Sequence, residues 1–144
     1  NCTVVDNTGA GVSDKRNGDG GHPYVYNSVI TRNGTGLARS LYDEVVTTYS
    51  AVSGNTLDWD AQYGGSFPNS KNNTDAPVVF TGDKWAYRLD PTSAGYGFAR
   101  ALTASDKIAE PETDLIGTPR KNKNGKRDAG CFARVPNGLL IFAR

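Results

Sequence analysis

The sequence predicts an α+β fold, a single domain spanning residues 1–144 in which one amphipathic helix packs on a twisted antiparallel β-sheet. Three observations carry this expectation. Leu37, Leu41, Val45 and Tyr49 recur at helical spacing, flanked by Ala38 and Val46, while Arg39, Ser40, Asp43, Glu44 and Thr47 occupy the opposite face. Beyond Gly54 the apolar residues fall into short runs cut by turn signals, the pattern of strands. The length supports one hydrophobic core and no more.

Each element follows in order. Residues 1–23 read as a flexible N-terminal arm tied down by Cys2, because 6–21 are rich in Gly, Asn and Asp with almost nothing apolar after Val12. Residues 24–30 (Tyr-Val-Tyr-Asn-Ser-Val-Ile) have the aromatic and β-branched content of a strand. Thr35 or Gly36 caps the predicted helix and Gly54 ends it. Residues 56–59 form a short strand and 64–75 an irregular loop. Runs at 77–80 and 85–89 flank a Thr-Gly-Asp-Lys turn, and 96–102, 114–116, 130–135 and 139–142 supply further strands. Asn124-Gly125 is a hairpin signal. No internal repeat and no Gly-rich phosphate loop is evident.

Composition narrows the function. The chain is 37% hydrophobic and 22% charged, with a net charge of +1. Such a balance argues against a protein that holds nucleic acid mainly by global charge. Leu, Ile, Val and Phe number only 28, but seven Tyr and two Trp enlarge the core that can be built. No apolar run approaches the roughly 18 residues of a membrane span. With no hydrophobic leader, the chain reads as a mature secreted product.

Cys2, Cys131 and the single His22 are too few for a structural metal site, and no cofactor is expected. The cysteines are either two buried thiols or one long-range disulfide, and secretion favours the disulfide. Closing that loop would remove roughly 5 kcal/mol of denatured-state entropy. Sequons at Asn1, Asn33 and Asn72 are candidate glycosylation sites, or accidents on surface turns. Acidic pairs such as Asp58/Asp60 and Glu110/Glu112 read as solvated turn residues rather than a glycosidase couple.

An early Cys2, one helix, the loop Phe67-Pro68-Asn69, antiparallel strands and the late Cys131 form an order with a parallel elsewhere. It resembles the small secreted fungal guanyl-specific ribonucleases and the ribonuclease-like effectors of plant-pathogenic fungi. In that register Asn69 stands where the family has a His, and Arg88 where it has a catalytic Glu. No Arg immediately follows Asp114, and the stretch 124–131 that ends in Cys131 holds no His. Two-step RNA cleavage needs a base, an acid and a grip on the phosphorane. A guanidinium does not release its proton near neutral pH. The resemblance therefore implies a fold relative without catalytic residues. Such a protein would be secreted, monomeric, extracellular or delivered into host cells. It would bind a host protein, a plant immune receptor included, or a structured RNA.

The expected binding surface is the open sheet face around Tyr87, Arg88 and Tyr96. Beside it lies a basic hairpin carrying Arg120, Lys121, Lys123, Lys126 and Arg127. Two competing expectations stand next to this one. An active ribonuclease would have to use His22. A secreted toxin or lectin-like module would bind glycans or membranes at a cell surface and would lack the helix-on-sheet layout.

Overall fold

The computed structural model describes residues 1–13, 23–38, 45–60, 72–82, 87–106, 108–109, 111–120 and 126–133. These residues contain no helix, and their named strands pair only in parallel. In chain order the strands are β1 (Thr3–Val5), β2 (Ala10–Ser13), β3 (Tyr24–Tyr26) and β4 (Val29–Thr31). They continue as β5 (Thr35–Ala38), β6 (Val46–Thr48), β7 (Ala51–Val52) and β8 (Leu57–Trp59). Each of the first five strands pairs with the third one after it. The result is a first sheet β1-β4-β7, a second sheet β2-β5-β8 and a third sheet β3-β6. Thr74 extends the first sheet by pairing in parallel with Ala51.

That connectivity is a coil: the chain visits sheets one, two and three, then returns one rung further along. All three sheets contribute to one interior. Ile30, Leu37, Val45 and Val52 are its buried centre, and Val4, Val12, Val25 and Trp59 pack around them. Val4, Ile30 and Val52 are register partners and stack through the rungs, as do Val12, Leu37 and Trp59. The architecture is a parallel β-solenoid, in which each rung buries its apolar face only against its neighbours.

The expected α+β fold is thereby corrected. Leu37 lies on β5 and Val45 immediately precedes β6, so two residues at helical spacing belong to different strands facing one interior. Leu41 lies outside the described residues. The run 45–48 (Val-Val-Thr-Thr) is wholly β-branched, and in a buried parallel strand that preference prevails. The expected absence of a repeat is also corrected, since Val29–Ala51, Ile30–Val52 and Thr35–Leu57 recur at a 22-residue period. Residues 3–5 and 10–13, expected within a flexible arm, form the first rung.

Two corners of the coil are built alike. Asp6, Arg32 and Gly54 turn the chain with φ of 60°, 55° and 70° between the first and second sheets. Asn27 and Tyr49 do so at 51° each between the third and first, and Asn72, at 58°, precedes the Thr74 bridge to the first. A left-handed corner leaves the following main-chain N–H without a strand partner, and a side-chain oxygen from the next rung accepts it. At the first corner Asn33 Oδ1 accepts from Asn7 N at 3.2 Å, and Asn55 Oδ1 from Asn33 N at 2.9 Å. At the other, Ser28 Oγ accepts from Cys2 N, Ser50 Oγ from Ser28 N and Asn73 Oδ1 from Ser50 N, each at 3.1 Å.

Described residues of the second half, from Ala76 on, lie across the outside of the first sheet. Val29 and Ala51 point away from the coil interior, yet both are fully buried, under Leu89, Ala129, Val78, Phe80, Tyr96 and Ala99. Asn27 clamps this covering segment. Its side chain accepts from Arg100 N at 3.1 Å and donates to Arg100 O at 2.8 Å, and its carbonyl accepts from Gly130 N at 2.7 Å. Antiparallel contacts occur only here, at Phe80–Leu89, Ala99–Arg127 and Thr113–Pro119 among the described residues. The first of these joins the two runs expected to flank a turn, whose residues 83 and 84 lie outside the described residues. Residues 114–116, expected as a short strand, lie instead in a turn in which Asp114 Oδ1 accepts from Ile116 N and Thr118 N. Among the described residues no helix is long and apolar enough to cross a membrane.

Candidate functional site

The binding surface expected from sequence is not assembled as an open face, because the outer face of the first sheet is the one that is covered. Tyr87 packs edge-on against Phe80, with ring centroids 5.6 Å apart. The Arg32 guanidinium lies 5.4 Å from the Phe80 ring centre and 5.8 Å from that of Tyr87. Arg32 is paired with Asp6 at 2.6 Å, so Tyr87 helps pin the covering segment to a solenoid corner. Arg88 is half-buried and its carbonyl accepts from Thr81 N. Tyr96 packs on the Val29–Ala51 cluster.

The basic run is likewise divided. Arg120 is only 6% exposed and donates to Gly130 O at 3.0 Å, so it braces the covering segment internally. Arg127 is half-buried and pairs with Ala99, whereas Lys126 is exposed. Lys121 and Lys123 lie outside the described residues, as do His22, Asn69 and Trp85. Cys2 and Cys131 are both free thiols rather than the expected disulfide, although Cys131 N donates to Thr3 Oγ1 at 3.1 Å. Of the three sequons, Asn33 is 3% exposed within the corner ladder, Asn1 is half-buried and Asn72 is exposed.

A different cluster gathers on the third sheet. Val25 points into the coil interior, so strand alternation turns Tyr24 and Tyr26 outward. Their rings are nearly parallel, at 9° and a centroid separation of 6.3 Å, and Tyr24 is 39% exposed. Tyr49, at the corner of the next rung, meets Phe98 at 6.2 Å. The Arg100 guanidinium bridges the rungs, 5.8 Å from the Tyr26 ring centre and 5.4 Å from that of Tyr49. Such contacts fix an arginine over aromatic faces while leaving its edge for hydrogen bonding.

Arg100 is held in turn by Asp106. Both guanidinium NH groups donate to the carboxylate, one of them at 2.8 Å. Asp106 also accepts from Thr103 N at 2.6 Å and Thr103 Oγ1 at 3.1 Å. The hydrogen bonds from Arg100 and the Thr103 main chain hold the Asp106 carboxyl well below the usual carboxylate range. An ionised carboxylate saturated in this way accepts hydrogen bonds and does not deliver protons. The arrangement is suited to holding a ligand: aromatic faces on one side, and on the other the partly exposed Arg100 guanidinium, its charge balanced by the buried Asp106 carboxylate.

The sequence pattern places Tyr24 and Tyr26 on a strand and Tyr49 on the predicted helix, and gives Arg100 and Asp106 no role. The alternation Tyr-x-Tyr was the available signal for the first two. Nothing in the sequence brings residue 100 beside residue 26. No protein-family model, curated protein or solved structure significantly matches the chain.

Proposed function

We propose that the protein is a binding module of the lectin-like kind, acting at a cell surface and taking neutral glycan chains on the third sheet. The observation that carries this reading is the cluster of Tyr24, Tyr26 and Tyr49 with the Arg100–Asp106 pair across it. A sugar ring offers an apolar C–H face and a rim of hydroxyls that both donate and accept. Aromatic faces match the first, and the charge-balanced, partly exposed Arg100 guanidinium can donate to the second. A polyanion such as RNA would instead be served by cations not already neutralised by a carboxylate. The ribonuclease resemblance was built on a helix followed by antiparallel strands, whereas parallel strands occupy that part of the described chain.

The test is affinity electrophoresis of the purified protein through gels containing soluble neutral glucan, mannan or xylan, with RNA as the polyanionic comparison. Retardation by at least one neutral glycan is expected. Replacing the most exposed ring, Tyr24→Ala, should weaken it about tenfold, the equivalent of roughly 1.4 kcal/mol, with an unchanged Tm. Retardation by RNA alone, or an unaffected Tyr24→Ala variant, would overturn the reading.

A further inference from the structure

The three Asn-x-Thr sequons occupy three different structural situations, and this divides them sharply. N-glycosylation joins C1 of the first sugar to the Asn Nδ2. The amide loses one proton, and the lipid-linked pyrophosphate that carried the oligosaccharide departs. The reaction therefore consumes an amide N–H and leaves a bulky substituent on that nitrogen. At Asn33 this nitrogen is committed. Nδ2 donates to Thr31 O at 2.9 Å, Val4 O at 3.1 Å and Asn55 Oδ1 at 2.8 Å. Its partner Oδ1 accepts from Asn7 Nδ2 at 2.8 Å. The main chain of the sequon is equally engaged: Gly34 N donates to Asn7 O at 2.9 Å and Thr35 N to Gly9 O at 3.2 Å. Asn33 lies between two rungs, so a sugar there has no volume to occupy unless the ladder opens.

Asn72 has the opposite setting. It is the exposed left-handed corner residue at φ 58°, and the ladder position beside it is filled by Asn73, which donates to Thr47 O at 3.0 Å. A substituent on Asn72 projects from a corner without opening any rung contact.

We propose that Asn72 is a glycan acceptor compatible with this fold and that glycosylation of Asn33 blocks folding. In any compartment with oligosaccharyl transfer, Asn33-Gly34-Thr35 then sets a race between the transferase, which needs an extended acceptor, and closure of the first corner. Molecules that lose the race cannot build the ladder.

The experiment expresses the full chain in a eukaryotic secretory host and, without glycosylation, in bacteria. Site occupancy is mapped by peptide mass spectrometry in the soluble protease-resistant fraction and in the retained, aggregated fraction. The folded fraction should carry sugar at Asn72 and none at Asn33, with any Asn33 glycan confined to the aggregate. Thr35→Val, which removes only the Asn33 sequon, should raise the folded secretory yield several-fold while leaving the bacterial yield unchanged. Thr35→Ser, which keeps the sequon, is the control for loss of the threonine itself. Folded protein glycosylated at Asn33 would overturn the proposal, as would a folded wild-type fraction bare at Asn72. Neither readout depends on glycan binding, so this inference and the proposed function fail separately.

Discussion

Asn33 concentrates the polar chemistry of the corner ladder into one side chain that is 3% exposed. Its amide matters because both of its ends are used, the oxygen towards Asn7 and the nitrogen towards Val4, Thr31 and Asn55. Asn33→Asp keeps the shape but turns the donating end into an acceptor and places a charge among carbonyl oxygens. A loss of about 3 kcal/mol or more is expected from urea unfolding, larger than for a surface Asn→Asp change. Gly130 is a second such point. Its φ is 90°, and a Cβ there would lie 2.7 Å from Thr3 Oγ1 and 3.2 Å from Val29 Cγ2. Gly130→Ala should cost about 2 kcal/mol or more. Gly9→Ala, with nothing within 4 Å of the added carbon, should stay within about 0.5 kcal/mol in the same measurement.

At the level of elements, strand content was more legible than strand arrangement. The aromatic and β-branched run at 24–30 was readable as β, but it is two strands, β3 and β4, broken where Asn27 adopts φ 51°. Asn tolerates that conformation, so the break carried no Gly or Pro to announce it. The predicted helix failed because apolar residues eight apart can mean two helical turns or two strands facing a common interior, and periodicity alone does not separate them. The repeat itself was present in miniature as Val4-Val5-Asp6-Asn7, Ile30-Thr31-Arg32-Asn33 and Val52-Ser53-Gly54-Asn55. It was obscured because the rungs differ in length: Thr3 pairs with Val29 and Val29 with Ala51, spacings of 26 and 22. The candidate site was less legible still, since Arg100 reaches Tyr26 only through the Asn27 clamp. Solution NMR chemical shifts offer a direct check on the element reading: β-type Cα and Cβ shifts are expected over 35–38 and 46–48, and helical shifts there would contradict the strands.

For the whole molecule, stability depends on two cores that share the first sheet, one inside the coil and one beneath the covering segment. The Arg100–Asp106 pair lies beside them, tying the covering segment to Tyr26 and Tyr49. The Asp106 carboxyl is depressed from its ordinary value of 3.8, so its contribution is fully present above that pH and is lost as pH falls through the lower folded value. Melting curves of wild type and Asp106→Asn should therefore differ by a constant Tm between about pH 6 and 8, with the gap narrowing only below about pH 4. A gap that already closes between pH 6 and 5 would mean that Asp106 is not held by Arg100.

A solenoid has no internal reason to stop after any particular number of turns, because each rung is completed by the next. This chain carries its own gauge. The covering segment touches the first rung at Thr3 and Asn27, the second at Val29, and the third at Ala51 and, through Ala76, Ser53. A duplicated 22-residue turn inserted into the coil would pair well with its neighbours, yet it would shift these anchor points by one strand spacing, about 4.8 Å. The second half of the sequence thus measures out the first, and the length of the coil can change only if both change together.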